Sequence, residues 1–317
     1  MKKVQKKIIF YGTPGFARNC LEYLIKNGEE ISAVVTAPDK FFGRGKKIRY
    51  SSVKEFAIIN NIKIFQPANL NDSLFITEIK KIDPDFQIVV AFRMLPKVVW
   101  SISKIFTFNL HASLLPNYRG AAPINWVIIN GEKETGLTTF IIDDNIDTGF
   151  ILLKEKIEIN PRETAYTLTN KLINKSGQLI VKTINFYFLG KLRPKKQLLS
   201  GFERTAPKLI SENIKIDWSE SIDSIERKIR GLSPSPGAWT YFQNDNLKSR
   251  MKIIDSSIIY ENHRINLNKI VIKEGSLFVC LKDGYLNCSE IQLENKIIMS
   301  AKSLLNGYEF SKNSFVF

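Results

Sequence analysis

Cysteine and histidine are scarce in this chain of 317 residues, with three of the first and two of the second. Cys20, Cys280 and Cys288 are odd in number and form no CxxC pair, which excludes a disulfide framework and a zinc knuckle. His111 and His263 alone cannot build a histidine-rich metal centre, so each becomes informative. Long apolar runs are missing as well. No stretch reaches the roughly 18 residues that a membrane span needs, and Met1 to Thr13 carries only the short core Ile8-Ile9-Phe10-Tyr11, too little for a secretory leader. A reduced, cytoplasmic protein is the expectation. The first apolar run is not followed by GxGxxG, which counts against a nicotinamide-dependent dehydrogenase.

Acidic residues are in deficit: 46 Lys and Arg stand against 31 Asp and Glu, a formal charge of +15. Such a balance points to a polyanionic partner. AT-rich coding can produce the same bias toward Lys, Ile and Asn, so charge alone leaves nucleic-acid contact open. Hydrophobic residues make up 44% of the chain, enough for a sizeable core, and the length suits two domains.

Over the first half, short β-type runs at 7–11, 31–36, 62–65, 87–91 and 105–110 alternate with helical patterns at 16–27, 52–60, 74–81 and 96–102. That alternation predicts an α/β, Rossmann-like, mostly parallel sheet with helices on both faces. A long helix is expected over 164–188, with Thr164 as its N-cap. The texture then changes. Residues 189–208 combine Gly190, Pro194, Gly201 and Pro207 with six cations, the composition of an exposed basic linker. Beyond it, several short strands at close spacing predict a small β-barrel of OB-like type over 209–317. His263 reads as a surface residue.

The densest polar constellation is Asn109-Leu110-His111-Ala112-Ser113-Leu114-Leu115-Pro116. Ligands of open α/β sheets bind beyond the carboxyl ends of strands, and Asn109 and His111, two residues apart, share a face at such an end. Asp143 to Gly149 is a second polar loop, either part of a site or simply a hairpin turn. A third segment, Asp39 to Arg49, carries Lys40, Arg44, Lys46, Lys47 and Arg49 beside Phe41 and Phe42. Cations next to aromatics suit phosphate contact and base stacking, and they equally suit a solvated surface loop.

Several motifs resemble the methionyl-tRNA formyltransferase family: Tyr11-Gly12-Thr13-Pro14, Gly43-Arg44-Gly45-Lys46-Lys47, the run from Asn109 to Pro116, Tyr118-Arg119-Gly120-Ala121-Ala122-Pro123-Ile124 and Asp147-Thr148-Gly149. The likeness continues through Ile216-Asp217-Trp218, Pro234-Ser235-Pro236-Gly237-Ala238-Trp239 and Leu304-Leu305-Asn306-Gly307, nearly the whole chain. The resemblance implies a catalytic domain over 1–188, a basic linker over 189–208 and a tRNA-binding barrel over 209–317. It implies 10-formyltetrahydrofolate as formyl donor, with no metal or tightly bound cofactor, and methionyl initiator tRNA as acceptor. Asn109, His111 and Asp147 would be catalytic, Ser113, Leu114, Leu115 and Pro116 would contact the folate, and Lys40, Arg44, Lys46, Lys47 and Arg49 would meet the tRNA. A monomer is the family expectation.

The implied chemistry agrees with the residue types. Attack of an amine on a formyl carbon forms a tetrahedral oxyanion, which needs a donor toward oxygen, a group that takes the amine's proton and something that orients that group. Asn109, His111 and Asp147 can fill those three roles. Two departures stand out: Phe41-Phe42 replace small or proline residues, and Arg93 stands where glycine or an aliphatic is usual. The competing readings are a formyltransferase with a small amine acceptor and a basic RNA-binding module whose catalytic cluster is vestigial.

Overall fold

A computed structural model of the chain describes residues 6–42 and 47–317. The elements run β1 (Ile8–Gly12), α1 (Gly15–Lys26), β2 (Ile31–Val35), β3 (Lys40–Phe42), β4 (Lys47–Arg49), α2 (Ser52–Ile59), β5 (Ile64–Phe65), α3 (Ser73–Ile82) and β6 (Phe86–Val90). They continue with α4 (Lys97–Trp100), β7 (Phe106–His111), β8 (Arg119–Gly120), α5 (Pro123–Ile129), β9 (Glu134–Ile141), β10 (Ile151–Glu158) and α6 (Ala165–Phe188). The remainder comprises β11 (Thr205–Ala206), α7 (Ile222–Leu232), β12 (Ala238–Asn244), β13 (Leu247–Tyr260), β14 (Ile270–Lys273), β15 (Ser276–Leu281), β16 (Gly284–Leu293), β17 (Met299–Ser300), α8 (Ala301–Leu305) and β18 (Phe315–Val316).

Two compact units are present, each drawn from more than one stretch of the chain. The first comprises Met1–Gly120, Thr135–Ile157 and Thr169–Thr205; the second comprises Ala121–Glu134, Glu158–Leu168 and Ala206–Phe317. The physical reason is packing. Asn125 Nδ2 on α5 donates to Gly231 O at 2.7 Å. A Cβ on Gly231 would lie 2.5 Å from Ile129, so α5 and α7 touch through a bare backbone. Arg162 donates to Ser256 O at 3.0 Å and Arg230 to Glu163 O at 2.8 Å, which ties 158–168 to the same unit.

In the first unit the sheet order is β10-β9-β7-β6-β1-β2-β5. The pairs β1/β2, β1/β6, β2/β5 and β6/β7 are parallel, whereas β7/β9 is antiparallel. Strands β1 and β6 are buried along their whole length, as expected of strands covered on both faces. Helix α6 lies against α1: Cys20 meets the Ser176 hydroxyl at 3.1 Å, and Gly177 approaches Tyr23 so closely that an added Cβ would sit 2.5 Å from it. Thr164 Oγ1 accepts from Thr167 N, the predicted N-cap bond of α6.

The segment after α6 is largely exposed, with Leu198, Leu199 and Phe202 open to solvent, but it is pinned to the first unit at a few points. Lys195 forms an antiparallel bridge with Ile151, Leu192 is buried, and Gln197 is 7% exposed, so this stretch lies along the β10 edge of the first unit. The basic segment at 39–49 is likewise more than a loop: β3 and β4 form an antiparallel hairpin with Lys40 opposite Arg49. Asp39 at its base accepts from Lys54 Nζ at 2.5 Å and from Gln66 Nε2 at 2.8 Å.

In the second unit the path β14-β15-β16-β13-β12-β18 is closed by a bridge between Lys269 and Phe315, with Ile270 N donating to Ser314 O at 2.9 Å. A small antiparallel barrel results, filled by Trp218, Ile225, Ile229, Phe242, Ile253, Val279 and Leu286. His263 is half-buried rather than a free surface residue, its Nε2 lying 2.8 Å from Leu281 O and 3.2 Å from Gly284 O.

Two glycines give opposite expectations. At Gly136 in β9 a Cβ would meet Glu155 O at 2.1 Å and Leu114 Cδ2 at 2.6 Å, so Gly136→Ala forces two strands apart. A loss of about 1–3 kcal/mol is expected in urea unfolding, the scale of overpacking in a filled interior. At Gly15, which opens α1, nothing lies within 4 Å, and Gly15→Ala should stabilise by about 0.4–1 kcal/mol in the same assay.

Candidate active site

The site is built on β7. Asn109 and His111 are separated by two and share one face of the strand; their cross-strand partners on β9, Phe140 and Thr138, share that face. Strand β7 ends at His111, and the chain then turns back over its own end. The return is held by Thr138, whose hydroxyl donates to Ser113 O at 2.6 Å and accepts from Leu115 N at 3.2 Å. Ser113 Oγ donates to Asn117 O at 2.6 Å, and Leu115 packs into a small cluster with Phe140 and Ile151. Of the four residues in this loop, Ser113 and Leu115 are buried inward, while Leu114 and Pro116 are half-exposed.

His111 is 7% exposed, and its Nε2 lies 2.8 Å from Tyr118 O. A carbonyl accepts only, so Nε2 carries the proton and donates. The other nitrogen, Nδ1, then holds the lone pair, and it faces Asp147 Oδ2 at 3.7 Å. That separation exceeds a hydrogen bond, so the ring is oriented by the Tyr118 carbonyl and not by Asp147. Asp147 Oδ2 is itself fixed by Gly120 N at 2.9 Å. The arrangement leaves a basic nitrogen beside a carboxylate, able to take a proton and to have the resulting charge balanced.

The 143–149 segment is both of the things the sequence allows, a turn and a wall of the site. Within it Thr148 Oγ1 and Asn145 N both reach Asp143 Oδ1, at 2.7 and 3.1 Å. Asp147 sits at φ +55°, in the left-handed region that non-glycine residues seldom occupy. Its carbonyl and that of Gly149 both accept from Gln197 Nε2, at 2.8 and 2.9 Å. Gln197 Oε1 in turn accepts from Arg119 Nε and Nη2, at 3.2 and 2.6 Å. Neither Gln197 nor the Tyr118 carbonyl is marked by the sequence: the first lies in a basic, loop-like stretch, and the second is a main-chain atom.

Asn109 is half-buried, and its amide has no hydrogen-bond partner among the described residues. The departure at Arg93 is accounted for differently. Its guanidinium donates to Ala68 O at 2.8 Å and also to Pro67 O, clamping one loop on another. Ala91, just before it at the end of β6, lies at φ +46°.

The sequence-predicted basic residues are placed only in part. Arg44 and Lys46 lie outside the described residues, and of Lys47 only the backbone, in β4, is described. Lys40 and Arg49 are exposed on the hairpin beside Phe41, which is 74% exposed. On the second unit, cations and rings form one array. Arg250 Cζ lies 3.9 Å from the Trp239 ring centre, and Lys248 Nζ lies 4.5 Å from Tyr241 and 4.7 Å from Phe317. Lys215 Nζ lies 5.8 Å from Trp239 and 5.6 Å from Tyr241, and Arg250 Nε is buried without a hydrogen bond among the described residues.

Comparison with known proteins places these features. The family described as Formyl transferase matches residues 6–184, and Formyl transferase, C-terminal domain, matches residues 208–309. Methionyl-tRNA formyltransferase of Flavobacterium johnsoniae is 46% identical over 98% of this chain and 99% of its own length. The protein of the same name from Bacteroides thetaiotaomicron is 39% identical over 98% of each. Among solved structures, an N-formyltransferase from Helicobacter canadensis in complex with folinic acid and dTDP-3-aminofucose is 25% identical over 92% of this chain and all of that one, with a TM-score of 0.66. A sugar 3N-formyl transferase, 24% identical, shares the fold with a TM-score of 0.63. With both domain families matched and full-length relatives at up to 46% identity, the chain belongs to the methionyl-tRNA formyltransferase family.

Proposed function

We propose that this protein moves the formyl group of 10-formyltetrahydrofolate to the free α-amino group of methionyl initiator tRNA, giving the N-formylmethionyl-tRNA used to start translation. The observation that supports the reading is the placement of Asn109 and His111 on one face of β7, with Asp147 beside His111, in a chain that belongs to this family. Membership alone speaks for formyl transfer; the open Asn109 amide speaks for the place where it occurs.

In this reading the Asn109 amide donates to the formyl oxygen as it becomes an oxyanion. His111 receives the amine's proton on Nδ1 while Nε2 stays bound to the Tyr118 carbonyl, and Asp147 balances the imidazolium. When the intermediate collapses, the bond between the formyl carbon and N10 breaks and the proton passes from His111 to N10 of the departing tetrahydrofolate. The reaction then needs no metal or tightly bound cofactor from the protein. Donor contacts come from the 113–116 loop through Leu114, Pro116 and the backbone, since the Ser113 hydroxyl and the Leu115 side chain are spent inside. The acceptor is held by Lys40, Arg44, Lys46, Lys47 and Arg49 on the hairpin segment, with Phe41 offering a surface for stacking. The protein acts as a cytoplasmic monomer; no helix among the described residues is long and apolar enough to cross a membrane.

The decisive experiment is transfer of labelled formyl from 10-formyltetrahydrofolate to methionine-charged initiator tRNA, with methionine-charged elongator tRNA in parallel. Transfer to the initiator supports the reading. No transfer to either tRNA from folded protein refutes it in favour of a small amine acceptor or a binding role. Asn109→Ala and His111→Ala should each lower kcat/KM by on the order of 100-fold or more, the cost of losing an oxyanion donor or a proton acceptor. Near wild-type rates in both would refute the catalytic assignment. Asp147→Asn should lose activity while its circular dichroism stays native.

If the cations contact tRNA phosphates, log affinity falls linearly with log salt. Lys248→Ala combined with Arg250→Ala should flatten that slope and leave the rate at saturating tRNA unchanged. An unaltered slope would remove this array from the interface.

A further inference from the structure

Gln197 lies outside the elements that carry the reacting groups, in the segment following α6, yet its side chain is among the most fully engaged near the site. Its amide nitrogen serves two carbonyls, Asp147 O at 2.8 Å and Gly149 O at 2.9 Å, and its amide oxygen is met twice by Arg119, at 3.2 and 2.6 Å. It is 7% exposed, so these bonds form away from bulk water, where a missing partner is costly.

The loop it holds needs holding. Asp147 is in the left-handed backbone region, which is unfavourable for a residue with a Cβ and is held there by its surroundings. Inside the turn, Asp143 accepts from Asn145 N and from the Thr148 hydroxyl, and neither bond involves the Asp147 or Gly149 carbonyl. The Asp147 carboxylate has one bond to the chain, from Gly120 N. Rotation about the Asp147 backbone by a few tens of degrees would swing that carboxylate away from His111 Nδ1, while the far end of the turn is tied to β9 by Ile141 N donating to Phe150 O at 2.9 Å. Gln197 is the side chain bonded to the Asp147 and Gly149 carbonyls, and Arg119 bonds Gln197.

We infer that Gln197 is a positioning residue for the reaction: by donating to the Asp147 and Gly149 carbonyls it sets the place of the Asp147 carboxylate beside His111. The inference rests on the formyl transfer proposed above. It separates the two halves of the amide. The nitrogen does the positioning; the oxygen only anchors the amide to Arg119. Gln197→Glu therefore keeps the anchor and loses the donors, placing a carboxylate oxygen against two carbonyl oxygens. Gln197→Met keeps the volume and loses both.

The test uses both variants in the full-length chain, alone and combined with Asp147→Asn, with two readouts: single-turnover and steady-state formyl transfer, and hydrogen-deuterium exchange of the 143–150 segment. Gln197→Glu and Gln197→Met should each lower kcat by between about 10- and 100-fold, the cost of misplacing a reacting constellation by about an ångström. KM for donor and for tRNA should stay within about twofold, because only a step after binding is affected. In the Asp147→Asn background the same changes should alter the residual rate by less than about twofold, the non-additivity expected of residues acting as a unit. Exchange of 143–150 should quicken in both single variants by more than the change in global unfolding accounts for. Equal losses in the two backgrounds, a loss confined to KM, or unchanged exchange would overturn the inference. Absence of formyl transfer by the wild-type chain would refute the proposed function instead, and the exchange measurement would still decide whether Gln197 holds the loop.

Discussion

The site depends on a single main-chain acceptor, the carbonyl of Tyr118, bound to His111 Nε2 at 2.8 Å. Because an acceptor demands a proton on Nε2, it selects the tautomer of a buried imidazole and leaves Nδ1 as the free base. That choice dictates the rest. The carboxylate has to stand on the Nδ1 side, so the 143–149 turn folds back toward β7. The chain after His111 has to return far enough for Tyr118 to face the ring, which is what Thr138 secures by bonding both Ser113 O and Leu115 N. Tyr118 itself is at φ +61°, a backbone conformation imposed on it by the turn, and its N–H donates to Arg204 O. Local preference is overridden where the imidazole must be aimed.

The α/β layering was legible because it rests on periodicity: each parallel strand is a short run of β-branched and aromatic residues, and each helix an amphipathic stretch. Asn109 and His111 were legible for a related reason, since a separation of two on a strand fixes a shared face whatever surrounds it. Asp147 is expected from the sequence to orient the imidazole, whereas the Tyr118 carbonyl does so and Asp147 stands 3.7 Å away. Sequence spacing cannot distinguish a carboxylate that orients a ring from one 3.7 Å away that balances its charge. The cross-packing within the second unit was not legible, for a physical reason. The short helix α5 follows the first unit's strands in sequence, but its bare-backbone contact at Gly231 is with a helix a hundred residues later. No local pattern carries that.

The stretch after α6 shows the same limit. Glycine, proline and lysine together describe a solvated linker, and composition has no means of registering one neutral amide whose bonds are all long-range. Gln197 sits between cations, with Lys195 bridging Ile151 and Arg193 bound to backbone carbonyls of its own turn. A cation in its place would bring three or more donors and no acceptor, leaving Arg119 facing a like charge. An acid would satisfy Arg119 and repel the two carbonyls. Only an amide presents a donor edge and an acceptor edge at once, so the geometry requires glutamine or asparagine, and the reach to both sides favours the longer of the two.

Against this background of bonded groups, the Asn109 amide is the exception. Ser113, Thr138, Gln197, Asp147 and His111 Nε2 all have partners within the protein, whereas Asn109, on the same face as His111, has none among the described residues. A half-buried amide gives up part of its hydration without replacing it, and such a cost is tolerated where a ligand completes the bond. The oxygen of a formyl group is a weak acceptor and the oxyanion formed from it a strong one. An unpaired donor held beside a charged acid-base pair is thus worth more in the transition state than in the ground state, which is the condition for binding energy to become rate.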